Sequence, residues 1–434
     1  MGFERSQRYT KVALFSFFIT VLAACTSGSE EGSSDTRSAF EISGSIGDGP
    51  IVDADIVVVD ANGVEIATGQ SNERAEYTIE IPAGAALPVT VRVSGGTDLV
   101  TQRAADFELV SQVNATGTQT INVSPLTTLA VKTAECSGDS STDGVDGAWN
   151  DLADQLNAGL DRSALGDPLA DPIDATNIET AVLANEALGE VIRRTGAALP
   201  DVDLEQVVDV LACDLADGQL DGALAQAVTD DDTRVFAVMK AVEAAVRIEV
   251  LMGELKVDGV DATGAMNSAT RTVMPELTDA DVNSVELDAT GIDGARNALL
   301  LLSGIYADDT LTDLVEVLNG SSPADVRSRL ANAVNAADEN TLTGLADRVA
   351  VADTTEIDDI AERADEQNTA LAPIVSLAAD PTTVAVGAGS VLSWSSSNAE
   401  ICTASWADDE VALEGVANTG ALQQTTQKGQ IKIL

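Results

Sequence analysis

Thr120-Ile121-Asn122-Val123-Ser124-Pro125-Leu126-Thr127-Thr128-Leu129-Ala130 is where the chain changes its period. Upstream, from residue 40, apolar and polar side chains alternate in short runs, which puts one face of a strand on a core. Downstream the apolar positions recur about every 3.6 residues, the spacing of an amphipathic helix. Pro125 marks the join. Proline has no N–H to give a sheet ladder, so it ends the strand character. The chain therefore reads as α+β, strands first and helices after.

Upstream, the β-prone runs are Ile42 to Ile46, Ala54 to Asp60, Val64 to Thr68, Glu76 to Ile81, Val89 to Ser94 and Thr120 to Val123. Asp60-Ala61-Asn62-Gly63 is a tight-turn sequence in which Asn-Gly adopts positive φ cheaply. With Gly44-Ser45-Ile46, Gly49-Pro50-Ile51 and Tyr77-Thr78-Ile79 around it, residues 40–123 resemble the carboxypeptidase regulatory-like, transthyretin-type β-sandwich. That resemblance implies a small structural or binding module without catalysis. One departure is Asn72-Glu73-Arg74-Ala75-Glu76, where the family has a small glycine-containing turn. The Ser124–Ala130 segment is similar to one that follows such sandwiches in exported bacterial lipoproteins and leads into helices.

Helical periodicity is plain from about residue 147 to 368, within an expected acidic, bundle-like domain at 124–370. Thr176 to Glu179 has the form of a capping box, before a face of Ile178, Val182, Leu188 and Ile192. Asp203 is placed to cap a helix with Leu204, Val207, Val208, Leu211 and Leu215 inward. A longer helix follows Asp230–Asp232, with Val235, Met239, Val242, Val246 and Val250 on one stripe and Gly253 as its stop. Ser322, Pro323 and Asp325 start another, with Val326 and Leu330 inward. Each of these helices is expected to be apolar on one side only.

Residues 373–434 open with Pro373-Ile374-Val375-Ser376-Leu377 and carry Trp394 and Cys402 about a short Ser/Asn-rich loop. This resembles the start of a bacterial Ig-like module. The Tyr-bearing strand and second cysteine that close such modules do not follow. The last seven residues hold two of the chain's six lysines. Two readings stand: an incomplete module with an unpaired edge and a free thiol, or a divergent complete one.

At the other end, Arg5, Arg8 and Lys11 precede an apolar run from Val12 to Ala24, and Leu22-Ala23-Ala24-Cys25 follows as its end. Charges, apolar run, small pair and cysteine, in that order, resemble a bacterial lipobox. The resemblance implies a signal peptide at 1–24, removal of which leaves an acylated Cys25, and a flexible tether at 25–39. Membrane lipid is then a partner through Cys25. Thr26, in place of the Asp that retains such lipoproteins at the inner membrane, implies the outer membrane. Met1-Gly2 with Ser6 also fits an N-myristoylation pattern, but the apolar run argues for export.

Composition narrows the chemistry. Acids outnumber bases 71 to 23, the net charge is −48, and there is no histidine. Imidazole catalysis, Ser-His-Asp triads and HExxH zinc sites are excluded. So is nucleic-acid binding, because this surface repels a phosphate backbone. Only eight aromatic residues follow residue 24, which disfavours a stacked sugar cleft. With Cys25 assigned to lipid, Cys136 and Cys213 are the natural disulfide in an oxidising compartment, leaving Cys402 over. No cysteine has metal-ligand spacing.

Carboxylates are the remaining reactive groups. Asp214, Asp217 and Asp221 form one acidic turn and Asp139, Asp143 and Asp146 another, both weak calcium candidates without EF-hand spacing. Helix caps and solvated turns account for both as well. No catalytic residues, no cofactor and no metal are assigned. The expectation is a non-enzymatic binding or scaffold protein of the outer membrane, in contact with an extracellular polymer or an envelope protein. A periplasm-facing structural lipoprotein and a carboxylate-based hydrolase are the alternatives.

Overall fold

The structure is a computed structural model that describes residues 38–156, 166–167, 169–223, 230–278, 287, 289–306, 308–336 and 340–371. It also describes the backbone of short strands between 374 and 425. Cys25, Cys402 and the lysine-bearing tail lie outside the described residues.

Seven strands come first: β1 (Phe40–Ser45), β2 (Ile51–Val59), β3 (Glu65–Gln70), β4 (Glu76–Ile81), β5 (Val89–Asp98), β6 (Leu109–Val113) and β7 (Gln119–Thr120). One sheet runs β3-β2-β5-β6, antiparallel throughout. The other runs β4-β1-β7, with β1 antiparallel to β4 and parallel to β7. Alternation gives each strand an inner row: Ile56 and Val58, Tyr77 and Ile79, Val89 and Val91 all lie in one core. The result is sandwich-like. At the β2–β3 turn Asp60 Oδ1 accepts the N–H groups of Asn62 and Val64, and Gly63 takes φ 75°. Before β4 the left-handed position is Ala75, at φ 59°. Asn72 Oδ1 holds that turn by accepting from Arg74 N and Glu76 N.

Periodicity missed β6. Leu109, Val110, Ser111 and Val113 are all buried, because the strand is covered on both faces. A strand buried on both sides has no alternation to read.

What covers it is the opening segment. Ser124 caps α1 (Pro125–Ser137): its Oγ accepts from Thr127 N while Thr127 Oγ1 accepts from Ser124 N. Thr127 Oγ1 also donates to Val110 O at 2.9 Å, and Thr128 Oγ1 accepts from Val110 N at 2.8 Å. Helical structure thus begins at Pro125, not near 147. The threonines satisfy both backbone groups of a residue on the edge strand β6. Replacing both by valine leaves those groups buried without these partners, at about 1–3 kcal/mol each. A urea midpoint equal to that of wild type would show that the hydroxyls hold nothing.

Ten further helices are described: α2 (Thr142–Leu156), α3 (Ile178–Ala198), α4 (Leu204–Asp214), α5 (Asp230–Met252), α6 (Thr263–Val273), α7 (Ala289–Ser303), α8 (Asp309–Leu318), α9 (Val326–Ala336), α10 (Asn340–Ala350) and α11 (Thr354–Leu371). A hairpin of β8 (Lys256–Val257) and β9 (Val260–Asp261) follows α5. Asp203 caps α4 by accepting from Gln206 N, and Val207, Val208, Leu211 and Leu215 face inward. Gly253 ends α5 at φ 74°.

Two expectations need correcting. The box at Thr176–Glu179 does not form: Asn177 caps α3 without a side-chain bond, and Asp174 Oδ1 takes both the N–H and hydroxyl of Thr176. Nor are α3 and α5 one-sided: in α3 every residue from Ala184 to Ile192 is buried. In α5, Phe236, Val238, Ala241, Ala244, Ile248 and Leu251 are buried along with the expected stripe. The reason is position, since α3, α7, α9, α10 and α11 all pack around this helix. Sheets and helices share one continuous apolar core.

Beyond α11 lie β10 (Ile374–Asp380), β11 (Gly389–Ser397), β12 (Thr403–Trp406), β13 (Asp409–Ala412) and β14 (Thr419–Thr425). β10, β11 and β14 form an antiparallel sheet with β11 central, and β12 pairs with β13.

Candidate functional site

The sheet region meets the helices along a seam of buried charge. The β1–β2 turn brings Asp48 down onto α3, where Glu186, Glu190 and Arg193 lie one turn apart. The Arg193 guanidinium touches all three acids: Asp48 Oδ2 through Nη1, Glu186 Oε2 through Nη2 at 3.0 Å, and Glu190 Oε1 through Nε at 2.8 Å. Arg194 continues the chain, from Glu190 Oε2 at 2.7 Å to Glu249 Oε2 of α5 at 2.7 Å. Glu249 Oε2 in turn accepts from Lys256 N. One ionic chain therefore ties the β1–β2 turn, α3, α5 and the small hairpin. Exposure is 4% for Asp48, 0% for Glu186 and 2% for Glu190.

Close approach depends on two glycines. A Cβ on Gly189 would overlap Asp48 Oδ1, and one on Gly49 would lie 2.7 Å from Glu186 Oε1 and 2.5 Å from Asp98 Oδ1. Asp98, at the end of β5, accepts from Val100 N, Thr101 N and Thr101 Oγ1. Burial, opposed by Arg193 and reinforced by the charge of Asp98, pushes the Asp48 carboxyl up to about 7. Burial also lifts Glu186 well above the carboxylate range, with Asp48 and Asp98 adding to it. A second group lies within α5. Burial alone would raise Glu243, but Lys240 and Arg247 outweigh it and pull it down.

Two openings flank the seam. A narrow one of about 60 Å³ lies against Asp48, Ser124, Asn185 and Met274. A cleft of about 360 Å³ lies beside Arg193, Arg194, Lys256 and Asp347.

The acids singled out in sequence lie elsewhere. Asp214 is buried and accepts from Gly222 N, Asp217 accepts from Gln219 N, and Asp221 accepts from Ala223 N. Each serves its own turn. Asp139 likewise accepts from Ser141 N, while Asp143 and Asp146 are already in α2. Among the described residues no group of three or more His, Cys, Asp or Glu side chains could hold a metal ion. Cys136, at the end of α1, and Cys213, at the end of α4, are joined as a disulfide with Cα atoms 5.2 Å apart.

Sequence reading did not nominate the seam. A signal was present: Glu186, Glu190 and Arg193-Arg194 fall at intervals of three and four on one helix, in a chain with only 23 bases. Such pairs usually mark a solvated face, and nothing local tells that this one is buried. Comparison with family models, with curated proteins and with solved structures returns no match to this chain.

Proposed function

We propose that the chain is a lipid-anchored envelope protein with a non-catalytic binding or scaffold role, displayed from the outer membrane. The observation that carries this reading is Leu22-Ala23-Ala24-Cys25 at the end of a charged and then apolar leader. The Cys136–Cys213 disulfide supports it, because such bonds persist in oxidising compartments. In this reading residues 40–123 are a transthyretin-type sandwich, 124–370 a bundle-like domain and 373–434 a partial Ig-like module. The carboxylates with raised pKa, Asp48 and Glu186, are buried against Arg193 rather than set in a substrate-sized cleft. That favours a structural use of the acids over hydrolysis.

Intact mass of the protein from its own membrane is expected to show diacyl or triacyl modification at Cys25, lost in Cys25→Ala. An unmodified mature chain would end the lipoprotein reading. Protease shaving of intact cells separates the two faces of the membrane. Abundant peptides from 176–330 support a role at the cell surface; protection until the membrane is broken turns the search to periplasmic partners.

A further inference from the structure

Arg193 uses one oxygen of Asp48 and one of Glu186. The other two, Asp48 Oδ1 and Glu186 Oε1, are buried and have no hydrogen-bond partner. Asp48 Oδ1 lies against Gly189, and Glu186 Oε1 against Gly49 beside Asp98 Oδ1. Facing them are Arg193 and Glu190 from α3 and Asp98 from the end of β5. Arg194 lies one step further on and is shared between Glu190 and Glu249. Acids therefore exceed bases along the buried seam, and these two acceptor oxygens receive no donor from the described residues. A proton on one carboxyl answers both problems, since it removes a charge and supplies an O–H.

We infer that Asp48 and Glu186 hold a proton at the seam, and that this proton is an acid-set latch between the β1–β2 turn and α3. When it leaves, two bare carboxylates stand together beside Asp98 and Glu190, and the turn loosens from the helix. The inference rests on the seam alone and not on the proposed anchor.

The direction follows from linkage. A carboxyl raised in the folded state keeps its proton after the unfolded chain has lost its own. Stability is thus fully present below the unfolded pKa and falls as pH rises through the folded value, about 7 for Asp48. With no histidine in the chain, few other groups titrate in this window. Asp146 and Asp221 are also raised, by burial, and lie in α2 and the turn after α4. They are common to wild type and variants.

The test is the melting temperature of the full chain between about pH 6 and about pH 8 at constant ionic strength, beside Glu186→Gln and Asp48→Asn. Wild type is expected to lose several degrees across the window. Glu186→Gln, whose amide is a permanent donor, is expected to lose less than half as much. A flat wild-type profile, or variants that keep the full loss, would overturn the latch. So would millimolar Ca²⁺ abolishing the wild-type loss, since a cation would then take the proton's place. Should neither variant fold, infrared spectra of wild type decide. A protonated-carboxyl band present at about pH 6, gone by about pH 9 and retained in Asp146→Asn/Asp221→Asn supports the inference; its absence throughout, or its loss in that variant, overturns it.

Discussion

Arg193→Ala is expected to lower stability by about 3–5 kcal/mol, the range for breaking a buried ion pair from one side. The cost is set less by lost attraction than by what stays behind. Asp48, Glu186 and Glu190 keep their places, buried, without the one guanidinium that touches all three. Arg193→Lys is expected to recover little, because an ammonium is a point charge and cannot fork to three acids. Acid should rescue the alanine variant in part, since Asp48 and Glu186 take up protons readily. Denaturant midpoints of wild type, both variants and the Arg193→Ala/Glu186→Gln pair measure this. A loss below about 1 kcal/mol for alanine would mean that water already reaches the seam.

Removal of the Cys136–Cys213 bond is the second large effect. The cysteines are 77 residues apart, and the chain-entropy model assigns such a closure about 4 kcal/mol. The bond also joins the ends of two packed helices, α1 and α4, which otherwise share Lys132–Asp209 at the surface. Cys136→Ser/Cys213→Ser, or wild type fully reduced, is expected to unfold at a markedly lower urea concentration than the oxidised chain. Equal midpoints, with peptide mapping that recovers both thiols free before reduction, would show that the bond does not form in solution.

Both effects bear on what could be read beforehand. Alternation placed β1 to β5, where it follows the rows that face the core, while the expected run Thr120–Val123 overlaps β7 at Thr120 alone. It failed at Leu109–Val113, which α1 covers from the outer side. The capping aspartate at 203 was legible, since an N-cap depends on its own next three residues. Thr176–Glu179 has the same local form, yet Asp174 competes for Thr176 and wins. The cysteine pair could be named by elimination. The ionic seam could not, because Asp48 and Arg193 are 145 residues apart and only the fold shows that their faces meet.

The place of α5 in the chain has a consequence for synthesis. Its residues 230–252 are the common support for helices made before it and helices made after it. Until this segment emerges, α3 has only the helices α1 and α4 to pack on and Arg194 has no Glu249 to meet. The helices that pack on α5 thus complete their packing only once it has been made. For a polypeptide threaded through a membrane channel N-terminus first, as the proposed anchor requires, that delay is useful. In that proposal, completion of the core falls to the far side.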